Sequence, residues 1–583
     1  MAPIALSSSK EENRISLSEY VFRRIASLGV YSVFGVPGDF NLEFLDFIYN
    51  VPELKWYGTC NELNGAYAAD GYSKRSGKLG VLVTTMGVGE LSAMNGISGS
   101  YAEYVPILSI VGTTPTTAKM QGLPSHHLIT QMNPLEKNDH YVYQKMAASI
   151  SCNVTSIDDP FEAPDMIDNL IRDILKEKKP GYLYIPCNLA SVPVSDLNLR
   201  TTSGKCFFEK ELCCDQVMVQ NLAAKILDLI YMSHKPFVLS DCLVDRLRIS
   251  HEIQEFVDKA KLPNSCTQMG KSTLNEQSSY YIGDYSGDET SIKTMNYVSS
   301  CDLMIHMGNF DNETNSGHFS IHKEFDDKKS GKTLIILNHK YIKIGSELFY
   351  GYSILDVLPE MLRMLDTSKL PQVPAPCIQN IIPAHKSSTP ISETDVLKGI
   401  QTLLKPNDTL IVDTGSILYG ISDIRLPKGC KVLTQPFYLS IGMGLPCSFG
   451  ASVANRELGN KGRIILVEGD GAAQMTIQEF SNFNREGLNP LILLLNNEGY
   501  TVERAIKGPT RGYNDIRPNW KWTQLFDTFG MKDYKCQRVD TPDELSKTLK
   551  EFGSDNSCSR MIEIGLAKLD VPWRINGMVS HKK

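Results

Sequence analysis

The sequence predicts an α/β protein of three doubly wound parallel-sheet domains, and three observations lead there. Near-continuous apolar runs recur along the chain: VPILSIVG (105–112), GYLYIPCN (181–188), KPFVLSD (235–241), CDLMIHMG (301–308), KTLIILN (332–338), DTLIVDTG (408–415), RIILVEGD (463–470) and NPLILLLNN (489–497). Strands buried on both faces read this way, which argues for parallel sheets covered by helices. Amphipathic segments such as LSEYVFRRIASLG (17–29) and DELSKTLKEFG (543–553) alternate with those runs, as α/β folds require. A length of 583 residues also exceeds what one core supports.

Two irregular stretches set the expected boundaries. The chain turns polar after Cys187, through ASVPVSDLNLRTTSGK (190–205), and KLPQVPAPCIQNIIPAHKSSTP (369–390) is Pro-rich and non-periodic. The expected domains are therefore 1–190, 200–365 and 388–583, with a linker over 366–387. All three share a coarse strand–helix pattern, which leaves an ancient duplication open.

Composition narrows the function classes. A net charge of −7 provides no basic footprint, so neither nucleic acid nor an anionic membrane surface is expected as a partner. The 14 cysteines show no CxxC pair or regular spacing, as in a reduced intracellular protein. No apolar run reaches the length of a membrane span. The first residues, MAPIALSSSKEENRIS, read as neither a secretory nor a transit signal, and the VSHKK ending matches no simple address. Sequons at Asn153, Asn312 and Asn407 carry no weight without a secretory route. The expected location is cytoplasmic, with nuclear residence left open.

The chemistry gathers at two strand ends. GDGAAQ (469–474) closes one apolar run and leads into a helical pattern; NNEGYTVE (496–503) follows the next run, with 24 residues between Gly471 and Asn496. Ligands of open α/β sheets sit outside the carboxyl ends of the strands. Small residues let backbone N–H groups approach an anion at a helix N-terminus. Asp470 adds a carboxylate and Asn497 a neutral oxygen, the donors that Mg²⁺ takes when it joins protein to phosphate. A lone GDG is an ordinary turn; the pair at this spacing points to a diphosphate–Mg²⁺ site.

GDG followed by NN at this spacing resembles the thiamine-diphosphate motif of the decarboxylase and acetolactate-synthase superfamily. VFGVPGDFNLEFLDFIY (33–49), GTCNELNGAYAADGYSKRSG (58–77), TTMGVGELSAMNGISGSYAE (84–103), His126–His127, MGKSTLNE (269–276) and LSIGMGLP (439–446) are similar, in the same order, to pyruvate-decarboxylase-type enzymes. EGDGAAQMTIQE, GYTVERAIKGPTRGYND and WKWTQLF resemble the fungal phenylpyruvate (transaminated amino acid) decarboxylases more than pyruvate decarboxylases proper.

The resemblance implies a fold and a set of roles. The three domains would be pyrimidine-binding, middle or regulatory, and diphosphate-binding. The cofactors would be thiamine diphosphate and Mg²⁺, the metal held by Asp470, Asn497 and the Gly499 carbonyl. Cofactor binding would draw on Glu62, Thr414, Ser416, Leu439, Ile441, Gly469, Asp470, Gly471, Ala472, Asn497 and Gly499. Ile441 would bend the cofactor, the Leu439 carbonyl would contact its pyrimidine amine, and Glu62 would bond the pyrimidine ring nitrogen. The activated carbon is then part of the cofactor, so the protein needs no Ser or Cys nucleophile. Asp39, His126, His127 and Glu503 would join Glu62 as catalytic residues, Glu503 beside the substrate carboxylate and the others in protonation and product release. Ile417, Leu418, Val502 and Ile506 would line the substrate pocket.

The implied reaction is non-oxidative decarboxylation of phenylpyruvate, indolepyruvate or branched 2-oxo acids to aldehyde and CO₂ through a thiamine-bound enamine, in amino-acid catabolism by the Ehrlich pathway. The family's site lies between subunits, so a homodimer is the minimum and a homotetramer the expected assembly. Leu243 stands where some yeast-type pyruvate decarboxylases have an activating cysteine, which argues against thiol-mediated activation. A pyruvate decarboxylase, a carboligase, and a thiamine-diphosphate-binding regulator without turnover remain alternatives; the retained proton-transfer residues argue against the last.

Overall fold

A computed structural model describes residues 13–133, 135–201, 215–325, 330–376, 382 and 390–575. The first and last residues of the chain and most of the expected linker beyond residue 376 lie outside the described residues. The chain divides into two compact units, residues 1–211 and 212–583.

The first unit is built on a six-stranded, wholly parallel sheet. Its spatial order is Lys55–Gly58, Ser32–Gly35, Gly80–Thr85, Ile107–Thr113, Gly181–Pro186 and Val154–Ser156. A short antiparallel pair, Arg14–Ser16 with Pro193–Ser195, lies apart from it. The second unit carries two sheets. One runs Lys431–Leu433, Thr409–Val412, Ile464–Gly469, Leu491–Asn496, Ser559–Gly565 and Tyr534–Val539, again all parallel. Numbered along the chain, this sheet and that of the first unit have the same order, 2-1-3-4-6-5. Such an order reverses direction after its second strand and again before its last, which sends crossovers to both faces of the sheet.

Every apolar run quoted above forms a strand. The central ones are buried along their length: Ile107–Thr113, Gly181–Pro186 and Leu491–Asn496 have no exposed residue. The remaining sheet departs from the expected parallel pattern at one edge. Asn264–Cys266, Pro236–Ser240, Leu303–Met307 and Thr333–Leu337 are parallel, but Tyr341–Ile344 and Glu347–Tyr350 turn back as an antiparallel hairpin. Gly345 takes a left-handed φ of 58° in the two-residue turn, so the chain reverses without a crossover helix.

Within the second unit a buried ionic cluster ties these two sheets' domains together. Lys271 Nζ lies 3.1 Å from Glu276 Oε2 and 3.2 Å from Asp284 Oδ1, and donates to the Ile424 carbonyl at 2.8 Å. Glu276 Oε2 in turn accepts from the Leu426 N–H. Lys431 of the last sheet pairs with Asp245 at 2.8 Å.

Candidate active site

The last sheet's order places its first direction reversal between Thr409–Val412 and Ile464–Gly469, a switch point of the kind at which open α/β sheets bind ligands. Asp413 follows the first of these strands and gathers the loops around it. Its carboxylate accepts from the N–H groups of Thr414 (2.6 Å), Gly442 (3.1 Å) and Gly444 (2.6 Å). Burial pushes Asp413 up to about 7 against those three donors. The segment it anchors contains Leu439, whose φ of 57° is left-handed although the residue is not glycine. Glycine adopts that conformation freely, and here the fold imposes it on a leucine.

Asp470 begins the helix Asp470–Thr476 directly after its strand. Oδ1 accepts from the Gly471 N–H at 2.9 Å, whereas Oδ2 is buried with no hydrogen-bond partner among the described residues. Burial pushes Asp470 up to about 7, against nearby N–H groups of Gly471, Gly499 and Glu498. One terminal atom of the Asn497 carboxamide lies 2.7 Å from the Gly499 carbonyl oxygen and 3.3 Å from Asp470 Oδ1. With nitrogen there it donates to both; with oxygen there, three oxygens converge on a point that a cation satisfies. An orphaned carboxylate oxygen beside that set fits a divalent cation.

The loop that supplies these oxygens is tightly determined. Gly499 has φ 140°, and a Cβ there would fall 2.1 Å from the Asn514 carbonyl oxygen. The buried Arg504 guanidinium donates to the carbonyls of Asn497 (2.9 Å), Glu498 (2.6 Å) and Asn514 (3.2 Å) and to Asp515 Oδ1 (2.7 Å). The Tyr500 ring covers Gly471 so closely that a Cβ would meet it at 2.8 Å, and Gln474 Nε2 donates to its hydroxyl at 2.6 Å.

Around this floor lies a cavity of about 290 Å³. Of the residues expected at the cofactor, Thr414, Ser416, Leu439, Ile441, Gly469, Gly471, Ala472, Asn497 and Gly499 line it; Ile417, Val502, Glu503 and Ile506 form more of its wall. Leu418 does not line it. That side chain is 1% exposed and packs in the domain core with Val412, Ile421 and Ile424. Ser416 Oγ donates to Glu393, a carboxyl that burial pushes up to about 8.

In the first unit the other expected residues also follow strand carboxyl ends. Asp39 lies beyond Ser32–Gly35, and Glu62 opens the helix Glu62–Ser76 beyond Lys55–Gly58. Asn61 caps that helix by accepting from the Asn64 N–H at 2.8 Å, so Glu62 sits where the helix dipole favours negative charge. Asp39 Oδ2 lies 2.6 Å from His126 Nε2, and Asp39 Oδ1 lies 4.0 Å from His127 Nε2. His126 stacks on Phe40 at 4.7 Å. His127 is held with φ 65°, its carbonyl accepting from Tyr143 Oη at 2.7 Å.

Models of the thiamine pyrophosphate enzymes match three parts of the chain: the N-terminal TPP binding domain over 15–134, the central domain over 223–365 and the C-terminal TPP binding domain over 415–564. A transaminated amino acid decarboxylase of Saccharomyces cerevisiae is 36% identical, over 98% of this chain and 96% of its own length. The chain belongs to the thiamine pyrophosphate enzyme family. Two further relatives of this family member are a pyruvate decarboxylase of Kluyveromyces lactis (35% identical; 96% of this chain, 97% of the relative) and pyruvate decarboxylase isozyme 1 of S. cerevisiae (35%; 97% and 97%). Its cofactor is accordingly thiamine diphosphate.

Sequence reasoning missed several groups that shape this thiamine pyrophosphate enzyme's cavity. Tyr419, Tyr500 and Ile575 line it, while Asp413 and Arg504 hold its loops. Asp413 stood inside the quoted DTLIVDTG and Arg504 beside Glu503, but their importance lies in backbone partners that the fold alone supplies.

Proposed function

We propose that this thiamine-diphosphate-dependent decarboxylase acts on 2-oxo acids with aromatic or branched side chains, including phenylpyruvate and indolepyruvate, releasing CO₂ and the aldehyde. The observation that carries this reading is the cavity with Glu503 in a wall otherwise largely apolar, including Ile417, Tyr419, Ile441, Val502, Ile506 and Ile575. The printed name of the S. cerevisiae relative, transaminated amino acid decarboxylase, supports the substrate class. A second reading, preference for pyruvate, is favoured by the pyruvate decarboxylases of similar identity.

In the proposed site Asp470, Asn497 and the Gly499 carbonyl would hold Mg²⁺, and the small residues Gly469, Gly471 and Ala472 would leave room for the diphosphate. When bound, the cofactor supplies a carbon nucleophile and an electron sink. Glu62 would accept a hydrogen bond from the pyrimidine, the Leu439 carbonyl would accept from its amine, Ile441 would set its bend, and Thr414 and Ser416 would complete the pocket. Glu503 would act beside the substrate carboxylate. His126 Nε2 lies 2.6 Å from Asp39 Oδ2, within hydrogen-bond reach, and with His127 the pair would carry protons for protonation and product release.

The same reading divides the chain into a pyrimidine-binding domain (1–190), a middle domain (200–365), a linker (366–387) and a diphosphate-binding domain (388–583). It takes the active assembly as a homodimer or homotetramer and the location as cytoplasmic. Among the described residues no helix is long and apolar enough to cross a membrane.

The test offers phenylpyruvate, indolepyruvate, 4-methyl-2-oxopentanoate and pyruvate to protein loaded with Mg²⁺ and thiamine diphosphate, following aldehyde with an NADH-dependent dehydrogenase. Phenylpyruvate should outrun pyruvate. Glu503→Gln should lower turnover by about 10²–10⁴-fold. Asp470→Asn should weaken cofactor binding by about tenfold or more. Pyruvate as the best substrate would establish the second reading, and cofactor binding with no aldehyde from any acid would overturn both.

A further inference from the structure

Away from the cavity, the carboxyl edge of the middle sheet carries a polar cluster that the reaction does not use. His306 is fully buried near the end of the strand Leu303–Met307. Its Nε2 lies 3.0 Å from Asp241 Oδ2, and its Nδ1 lies 2.8 Å from His322 Nε2. His322 Nδ1 in turn lies 3.8 Å from Asp311 Oδ2. Both histidines are buried, whereas Asp311 is in the loop between them and 36% of its side chain is exposed.

The protonation pattern follows from Asp241. That buried carboxylate also accepts from Thr267 Oγ1, Asn315 Nδ2 and the N–H groups of Cys242 and Phe310. Five donors, His306 among them, thus converge on one carboxylate, the environment of an ionised acceptor. An ionised carboxylate only accepts, so His306 donates from Nε2 and presents a lone pair at Nδ1. Metal-ligating histidines are commonly held this way, the other ring nitrogen donating to a carboxylate. That lone pair accepts from His322 Nε2–H at 2.8 Å, and the proton must shift to His322 Nδ1 when a cation takes its place between the two rings.

We propose that His306, His322 and Asp311 form a second metal site, for a transition cation of the zinc class, with Asp241 orienting His306. One ligand atom from each of the three lies within 4.8 Å of the others. Zinc takes nitrogen and oxygen ligands at about 2.0–2.2 Å, so tetrahedral ligands stand about 3.3 Å apart. The two ring nitrogens must therefore part slightly while Asp311 closes in, and Asp311, in a loop with an exposed side chain, has room to do so. Two imidazoles and one carboxylate, with water in the fourth position, suit zinc better than the all-oxygen set suited to Mg²⁺. Asp241 and Asp311 outweigh Lys343 in local charge. The loop that closes the site also donates Thr314 Oγ1 to the Pro436 carbonyl at 2.6 Å and sets Phe310 edge-on to Phe437 at 5.2 Å. The cation would thus brace a segment that adjoins Leu439 and Ile441.

The test uses untagged full-length protein, stripped with chelator and reloaded with thiamine diphosphate and Mg²⁺. It is titrated with Co²⁺, read by visible absorption, and with Zn²⁺, read by calorimetry. Wild type should bind one more equivalent than His322→Asn or Asp311→Asn, each of which should weaken that equivalent by about tenfold or more. Asp311→Asn changes a partly exposed side chain, so it separates lost ligation from lost folding, and its turnover with Mg²⁺ alone should match wild type. Identical Co²⁺ spectra and stoichiometry in all three proteins would overturn the proposal and assign any bound cation elsewhere, for instance to Asp39, His126 and His127, which also cluster within ligand reach. Absence of any bound Co²⁺ or Zn²⁺ would overturn it too.

Discussion

Glu468 stands on the strand Ile464–Gly469, two residues before Asp470, fully buried, and neither carboxyl oxygen has a hydrogen-bond partner among the described residues. Burial, reinforced by Asp413, pushes it well above the ordinary carboxyl range, so it is held as the neutral acid. Even neutral, a buried polar group without a partner costs stability. Methionine has a similar unbranched shape and no polar oxygens, so Glu468→Met should raise the free energy of unfolding by about 1–3 kcal/mol. Chemical denaturation checks this, and a fall in stability would mean that Glu468 has a partner the isolated chain does not reveal. The residue scale is also where the sequence was least legible. GDG and NN could be read because cofactor chemistry demands those residue types at adjacent strand ends. Glu468, Asp413 and Arg504 could not, because each is defined by the backbone or side-chain neighbours that the folded strands and loops bring to it. His306, Asp311 and His322 follow no spacing motif, and only the strand and its following loop bring them together.

At the scale of elements, strands were legible and their edges were not. The apolar runs announce buried strands directly, but nothing in KTLIILNHKYIKIGSELFY tells the chain to turn back rather than cross over, apart from Gly345 and the short spacing. Helix starts show a similar mixture. The helix Val88–Ala102 follows Gly87, which has no side chain to cap it, and Glu90 supplies the cap from the third helical position. Glu90 Oε1 accepts from the Gly87 N–H and Oε2 from Tyr184 Oη, both at 2.8 Å. Burial raises Glu90 from 4.5 to about 7, outweighing those two bonds. The folded chain therefore keeps a proton that the unfolded chain loses as pH rises above 4.5. This group's contribution to stability is complete below that pH and is lost as pH climbs through about 7, on the order of 3 kcal/mol in all. Glu90→Gln keeps the shape and cannot ionise. Its unfolding free energy should depend less steeply on pH between 5 and 7 than that of wild type. Parallel pH profiles for the two proteins would rule the effect out.

On the scale of the whole molecule, two sheets with the same 2-1-3-4-6-5 order stand in separate compact units, which fits duplication of one α/β plan. The second unit had to solve a further problem, that of joining a middle sheet to the last one through more than the linker. Its solution is the Lys271 cluster, in which one buried lysine faces Glu276 and Asp284 and reaches across to the Ile424 carbonyl. Burial, then Glu276, push Asp284 up while Lys271 pulls it down. Without the lysine both carboxyls would sit in a dry interior without the cation that contacts them, leaving Asp284 only the more distant influence of Arg574. Replacing one partner of a buried ionic group commonly costs about 3–5 kcal/mol, far more than the intact group contributes over an apolar substitute. Lys271→Met should therefore destabilise the second unit by that order. Adding Glu276→Gln and Asp284→Asn to it should recover part of the loss, because the stranded charges are removed. The measurement is denaturant unfolding joined to hydrogen exchange over residues 264–284 and 418–426. Both segments should exchange faster in Lys271→Met, since the cluster touches both sheets' domains. Faster exchange in the first segment alone would show that the cluster stabilises the middle domain without tying it to the last.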